Sequence, residues 1–142
     1  MSAERCFVDS NVLIYAYDRD AGSKRLRAGE LLSGLWESAT GVVSVQVLQE
    51  FFANATRKLQ QPLDLAKARE VVMIYGGWVP AATGPAHVLR AVDIMESYRL
   101  SFWDSMILAV AEATQCSTLF SEDMQHGQVL AGVRIENPFL SS

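Results

Sequence analysis

Cysteine is scarce in this chain, with two residues among 142. Cys6 and Cys116 stand apart in apolar surroundings, without the close spacing that zinc ligands show. The pattern predicts buried free thiols, and it argues against a disulfide-stapled scaffold or a zinc site.

Long apolar runs are also missing. No run approaches the ~18 residues of a membrane span, and the stretch around Glu4 and Arg5 lacks the basic-then-apolar pattern of a signal peptide. We therefore expect no membrane association and a cytoplasmic location. Linkers, repeats and low-complexity segments are absent too, so a single domain covering residues 1–142 is expected.

An excess of positive charge is the third missing feature. The 16 acidic residues outnumber the 12 lysines and arginines, which gives a formal net charge of -4. Nucleic-acid-binding proteins are normally basic, so this balance argues against such a partner unless the acids gather around divalent cations. Two Mg²⁺ ions carry four positive charges, which would bring the -4 to zero.

The chain does contain alternating strand and helix patterns. Strands are predicted before Asp9, at 41–43, at 116–120 and at 133–136, with a short one at Trp78-Val79. Helices are predicted from Ser23 to Trp36, from Ser44, after Asp64, from Pro85, and from Ser101 to Gln115. This order predicts an α/β fold, a three-layer α/β/α sandwich with a mainly parallel central sheet.

Acidic residues follow two of these strands. Asp9 comes directly after an apolar strand, where ligand chemistry sits in an open α/β sheet. Asp123 follows the strand at 116–120 in the same way, with Glu122 beside it. A side-chain cap for the following turn is the alternative reading of Asp9 and Ser10.

Two further acids lie on helices. Glu50 belongs to a polar stripe opposite the predicted core stripe, which is also compatible with a simply solvated glutamate. Asp104 follows Ser101 at capping-box spacing, so its alternative is a structural role at the helix start. If the four acids meet, divalent cations are needed to offset their repulsion, and oxygen-only ligands suit Mg²⁺ or Mn²⁺.

Basic residues cluster at one helix start. Lys24, Arg25 and Arg27 form either a solvated face or a site for an anion such as an RNA phosphate. With Arg57 and Lys58, they are the predicted phosphate contacts.

Four motifs together resemble the PIN domain family, in particular its bacterial VapC-like toxins. They are F-V-D-S-N-V-L (7–13), V-L-Q-E-F-F-A-N (47–54), F-W-D-S-M-I-L-A (102–109) and L-F-S-E-D-M-Q-H-G (119–127). The resemblance covers nearly the whole chain in order and spacing. It implies a metal-dependent endoribonuclease that acts on structured RNA such as tRNA or rRNA, a homodimer, and a small cognate antitoxin protein.

The resemblance also implies the roles of individual residues. The implied metal-binding and catalytic acids are Asp9, Glu50, Asp104 and Asp123, with one or two Mg²⁺ or Mn²⁺ ions. Asn11 and Ser121 match polar positions that support those acids. Because Glu122 precedes Asp123, either of the two is a candidate ligand, and Asp123 is the preferred one.

Two other functions remain open from the sequence. A haloacid-dehalogenase-like phosphatase would use Asp9 as its nucleophile, but that class expects a second Asp where this chain has Asn11. A non-catalytic RNA- or protein-binding module is the other alternative.

Overall fold

Strands and helices alternate along the chain. The computed structural model describes residues 4–140, so residues 1–3 and 141–142 of the predicted domain lie outside the described part. The strands are β1 (Arg5–Val8), β2 (Gly41–Val42), β3 (Cys116–Phe120), β4 (Val129–Leu130) and β5 (Val133–Glu136). The helices are α1 (Ser10–Tyr17), α2 (Ser23–Ser38), α3 (Val45–Ala55), α4 (Leu65–Tyr75), α5 (Pro85–Tyr98) and α6 (Phe102–Ala113).

The strands form one five-stranded sheet in the order β2-β1-β3-β5-β4. β1 pairs in parallel with β2 and with β3, and β3 pairs in parallel with β5. Only β4 within the described sheet runs antiparallel to its neighbour, β5. The predicted α/β fold with a mainly parallel sheet is therefore confirmed.

The order of the strands creates a switch point between β1 and β3. After β1 the chain leaves through α1 and α2 to β2 on one side, whereas after β3 it goes on to β5 on the other side. A crevice outside the carboxyl ends of such strands is the usual place for ligands in open α/β sheets. The loops after Val8 and Phe120 both open into this crevice.

The first helix was not predicted from the sequence. The apolar run after Asp9 continues as α1, which buries Val12 and Leu13 completely. A short buried helix and a buried strand have the same apolar composition, so periodicity alone does not separate them. Asp9 is therefore the residue between a strand and a helix, and it caps that helix.

The buried faces of α3 and α5 match only in part those that the spacing of apolar residues predicts, which are Val45, Leu48, Phe52, Ala55 and Leu59 for the first and Val88, Val92 and Met95 for the second. In α3, Val47 and Phe51 are fully buried, whereas Val45 is 42% exposed. In α5, Ala91 and Ile94 are buried, while Val88 and Val92 are exposed. Both helices carry more apolar residues than one core face holds, so the sequence pattern left their rotation undetermined.

The segment between α4 and α5 carries an aromatic cluster. A 3₁₀ turn (Gly76–Trp78) stands where a short strand was predicted. Its Trp78 ring lies 4.7 Å from that of Trp36 and 4.9 Å from that of Tyr75, measured between centroids. The cluster covers Gly41 at the start of β2, where a Cβ atom would lie 2.5 Å from the Trp78 ring.

Within residues 4–140, no helix combines the length and the apolarity needed to cross a bilayer.

Gly41→Ala is expected to destabilise the protein by about 1–3 kcal/mol, because the new methyl group overlaps the buried Trp78 ring and forces the strand or ring to move. Gly34→Ala is the matched control, since no atom lies within 4 Å of its added Cβ and alanine favours the helix. Urea denaturation measures both changes. A Gly41→Ala variant as stable as wild type would contradict the close packing.

Candidate active site

The parallel register of β1 and β3 places their ends side by side. Val8 lies opposite Phe120, and the backbone N–H of Asp9 donates to the carbonyl of Phe120 at 3.0 Å. The next residues on both strands, Asp9 and Ser121, are therefore neighbours at the switch point. The side-chain hydroxyl of Ser121 donates to Oδ2 of Asp9 at 2.7 Å.

Asp9 is a buried carboxylate with both oxygens engaged. Its side chain is the N-cap of α1, where Oδ1 accepts from the backbone N–H of Ser10 at 2.7 Å. Burial raises the pKa of Asp9 to about 6, and the hydrogen bonds from Ser121 and Ser10 oppose that rise. The charges of Asp123 and Glu50 raise the pKa further. Asp9 is thus a helix cap and also a member of an acidic cluster.

Glu50 reaches the same cluster from α3. Its side chain is about half buried, on the face opposite the core residues of that helix. Burial raises the pKa of Glu50, hydrogen bonds involving Gln46 and Ser10 oppose this, and the charges of Asp104 and Asp123 add to it. Glu50 is therefore not simply a solvated helix residue.

Asp104 enters from the first turn of α6. The hydroxyl of Ser101 caps this helix by accepting from the backbone N–H of Asp104 at 3.1 Å. Burial raises the pKa of the Asp104 carboxyl; Ser101 opposes the rise and the charge of Asp123 adds to it. The cap belongs to Ser101, and the carboxylate of Asp104 lies near enough to Asp123 for the two charges to interact.

Asp123 is held by the two predicted supporting residues. The amide of Asn11 donates from Nδ2 to Oδ2 of Asp123 at 3.1 Å. Ser121 Oγ accepts from the backbone N–H of Asp123 at 3.1 Å while it donates to Asp9. One hydroxyl therefore connects the acids that follow the two central strands.

Glu122 points into a different set of contacts. Its carboxylate accepts from the Tyr15 hydroxyl at 2.6 Å and pairs with the ammonium group of Lys24. Partial burial by itself would raise the pKa of Glu122, but the hydrogen bonds from Lys24 and Tyr15 outweigh it and hold the pKa below its ordinary value. The Glu122 side chain therefore binds Tyr15 of α1 and Lys24 of α2, whereas Asp123 interacts with the other acids.

The five predicted phosphate contacts lie in different environments. Lys24 is paired with Glu122 and lies 4.8 Å above the centre of the Tyr15 ring. Arg27 donates from Nε to the carbonyl of Pro138 at 3.0 Å. The other three are exposed: Arg25, Arg57 and Lys58. The structure thus distinguishes two engaged cations from three that face solvent, and all five stay predictions as RNA contacts.

Two residues near the acids were missed by sequence reasoning. Ser10 supplies the backbone N–H that holds Asp9, and Tyr15 binds Glu122 from one turn further along α1. Both positions follow once α1 is recognised as a helix. Ser10 is then its first residue, next to the cap Asp9, and Tyr15 lies on the same face as Asn11 at i, i+4 spacing.

The four acids provide only oxygen donors; burial is the main cause of the raised pKa values of Asp9, Glu50 and Asp104, and the charges of the neighbouring acids add to it. Within residues 4–140, no three acidic, histidine or cysteine side chains stand close enough together to hold a metal ion in their present positions. The chemistry of the donor set fits a hard divalent cation such as Mg²⁺ or Mn²⁺.

Comparisons with known proteins agree with the α/β fold. A family model described as PIN domain matches residues 6–129. Among solved structures, the chain is similar to one in a toxin-antitoxin complex from Klebsiella pneumoniae, with a TM-score of 0.66 and 19% identity, covering 94% of this chain and 98% of that one. It is also similar to one in the complex of VapBC2 from Rickettsia felis with a promoter DNA fragment, with a TM-score of 0.60 and 14% identity, covering 93% and 97%. At these identities the likeness shows the fold alone. No curated protein sequence matches the chain.

Asp9→Asn is expected to stabilise the metal-free protein by about 1–3 kcal/mol at pH 8, because it removes a buried charge whose pKa is raised to about 6. The folded state holds the Asp9 proton more tightly than the unfolded state does. The stabilising effect is therefore full above pH 6 and declines as the pH falls from about 6 to 4. Urea denaturation in chelator at pH 8 and pH 4 measures it.

Asp93→Asn on the exposed face of α5 serves as the control, because it removes an equal charge without burial. Its effect on the free energy of unfolding should be within about 0.5 kcal/mol at both pH values. Equal effects for the two variants would contradict the buried-charge account of Asp9.

Proposed function

Because the chain belongs to the PIN domain family, we propose that it is a metal-dependent endoribonuclease and the toxin of a type II toxin-antitoxin pair. PIN domains are generally nucleases, which supports the assignment of this chain as a hydrolase. The single observation that supports the proposal is that four acids act on one another's charge at the carboxyl edge of the sheet: Asp9, Glu50, Asp104 and Asp123. An acidic cluster of this kind is costly for the fold, so it calls for a function.

The same four acids would hold one or two Mg²⁺ or Mn²⁺ ions. Such ions, when bound, supply positive charge for a phosphate group and make water a better nucleophile. This assignment also accounts for an acidic protein that acts on a polyanion, since bound cations offset the net charge of -4.

The protein's own part is to orient the carboxylates. Ser10 and Ser121 fix both oxygens of Asp9, and Asn11 fixes one oxygen of Asp123. These donors stabilise the ionised carboxylates, which is the form that binds cations. Because the donors come from α1 and the loop after β3, the orientation is set before any substrate arrives.

The reaction we propose is hydrolysis of a phosphodiester bond in structured RNA such as tRNA or rRNA. Water attacks phosphorus, the bond from phosphorus to the 3′ oxygen breaks, and that oxygen takes up a proton. The products carry a 5′-phosphate and a 3′-hydroxyl, because the 2′-hydroxyl takes no part. Arg25, Arg57 and Lys58 are exposed and are proposed to contact the RNA backbone. Lys24, which pairs with Glu122, and Arg27, which donates to the carbonyl of Pro138, are the other two proposed contacts.

A cognate antitoxin and a second copy of the chain are the proposed protein partners. The antitoxin is supported by the two similar structures, one a toxin-antitoxin complex from Klebsiella pneumoniae and the other VapBC2 from Rickettsia felis. Apolar side chains also line an open cleft of about 460 Å³ between α3 and α4, formed in part by Val45, Phe52 and Val72. An apolar surface of this kind is typical of sites that bind another protein.

Purified protein with Mn²⁺ is expected to cleave structured RNA and to leave 5′-phosphate ends, which sequencing of RNA 5′ ends detects. Asp9→Asn should abolish cleavage and growth inhibition while the fold persists, because a neutral amide is a poor ligand for a divalent cation. Ends carrying 2′,3′-cyclic phosphate would contradict the mechanism. Hydrolysis of small phosphate esters without RNA cleavage would favour the phosphatase alternative, in which Asp9 is a nucleophile.

Calorimetry with Mn²⁺ shows which of the two adjacent acids, Glu122 or Asp123, contributes to Mn²⁺ binding. Asp123→Asn should weaken Mn²⁺ binding by about 10-fold or more, since it removes a carboxylate from the cluster. Glu122→Gln is the matched control and should bind Mn²⁺ much as wild type does, because its side chain faces Tyr15 and Lys24. The reverse order would make Glu122 the ligand, and no binding to wild type would favour a non-catalytic module.

A further inference from the structure

Trp103 stands out among the tryptophans because its side chain faces solvent. Its exposed fraction is 62%, compared with 44% for Trp36 and 7% for Trp78. The other two rings pack against each other, whereas the one aromatic ring beside Trp103 within residues 4–140 is that of Phe102, in an edge contact at 5.0 Å between centroids. Exposing so large an apolar ring costs the fold free energy in water.

The ring of Trp103 forms one wall of a cleft beside the acidic cluster. The cleft has a volume of about 350 Å³ and is lined by Gln46, Gln49, Glu50, Ala53, Asn54 and Trp103. Glu50 belongs both to the cleft and to the cluster, and Asp104 follows Trp103 directly in the chain. Whatever occupies the cleft therefore lies next to the group on which the acids act.

The position of the Trp103 wall is fixed from two sides. Its residue lies in the first turn of α6, and its backbone carbonyl accepts a hydrogen bond from Gln46 Nε2 of α3 at 3.2 Å. The backbone that carries the ring is therefore held at a set distance from the opposite helix before binding, and the ring packs edge-on against Phe102. Such preorganisation lowers the entropic cost of binding a planar group.

The chemistry of the cleft selects its occupant. The side-chain amides of Gln49 and Asn54 can donate and accept hydrogen bonds, Gln46 can accept through Oε1 while its Nε2 binds the Trp103 carbonyl, and the only charge on the wall is that of Glu50. A phosphate would be repelled by that carboxylate and would find no lysine or arginine among the residues of the wall. A neutral planar group with hydrogen-bonding edges matches both the amides and the tryptophan.

We propose that this cleft binds one unpaired nucleobase of the substrate, next to the phosphate that is cleaved, with the base stacked on Trp103 and its edge facing the amides. The inference rests on the proposed ribonuclease function and adds a specificity to it. The nuclease selects a phosphodiester bond whose neighbouring base is unstacked, as in a loop or bulge. A fully paired helix keeps its bases inside and cannot fill the cleft.

The test measures binding in a background that does not cleave, Asp9→Asn, with a mixed-sequence single-stranded RNA oligonucleotide. Trp103→Leu should weaken binding by about 10-fold, because leucine keeps the apolar contact but loses the stacking surface. Trp103→Phe should restore part of the affinity. An oligonucleotide of the same length with abasic residues should bind all three proteins equally, since it offers phosphates without bases.

Two readouts separate this role from a structural one. Titration with the oligonucleotide should quench the fluorescence of the protein, and the quenching should be lost in Trp103→Leu and kept in Trp36→Phe, the control at the exposed but packed tryptophan. In the cleaving protein, Trp103→Leu should raise the KM for loop-containing RNA more than it lowers kcat. Thermal unfolding checks that all variants are folded.

Equal RNA affinity of Trp103→Leu and its parent would overturn the inference while leaving the ribonuclease function intact, provided that wild type cleaves RNA. Weaker antitoxin binding in that variant with unchanged RNA binding would assign the cleft to the protein partner instead. If wild type neither binds nor cleaves RNA, both the inference and the proposed function fail.

Discussion

The hydrogen bond from the Ser121 hydroxyl to the Asp9 carboxylate connects the residues that follow the two paired central strands, β1 and β3. It depends on the register in which Val8 lies opposite Phe120, because only that alignment makes the next residues neighbours. The same hydroxyl accepts from the Asp123 backbone, so a shift of one residue between β1 and β3 would separate the acids. The apolar core on both sides of the sheet fixes this register and thereby fixes the site.

Much of the site was predictable because strand ends in a parallel sheet lie at one edge, and an acid after a buried strand is conspicuous in sequence. Asp9 and Asp123 were proposed in this way, whereas Glu50 and Asp104 were proposed from the resemblance to PIN domains, because the spacing of Asp104 from Ser101 fits a helix cap equally well. The sequence did not decide between Glu122 and Asp123, since neighbouring residues in a loop have no fixed periodicity. The contacts that separate them come from Tyr15 and Lys24, far away in the chain.

The fold was predictable in its order of elements and less so in its details. Helix α1 was missed because its apolar residues match a buried strand equally well, and the buried sides of α3 and α5 were rotated from those predicted. In both helices the apolar residues outnumber the core positions. Tertiary packing buries Ile94 rather than Val92 in α5, and Phe51 rather than Val45 in α3. The spacing of apolar residues along each helix does not predict that choice.

The hydrogen bond between Asp9 and Ser121 also has a consequence for folding during synthesis on the ribosome. The acids lie at opposite ends of the chain, and β3 gains its outer partner only when β5 has been made. Contacts this distant in sequence form late, after the intervening helices have emerged. A chain in which β3 has not yet paired with β1 therefore carries the acids of the candidate site without bringing them together.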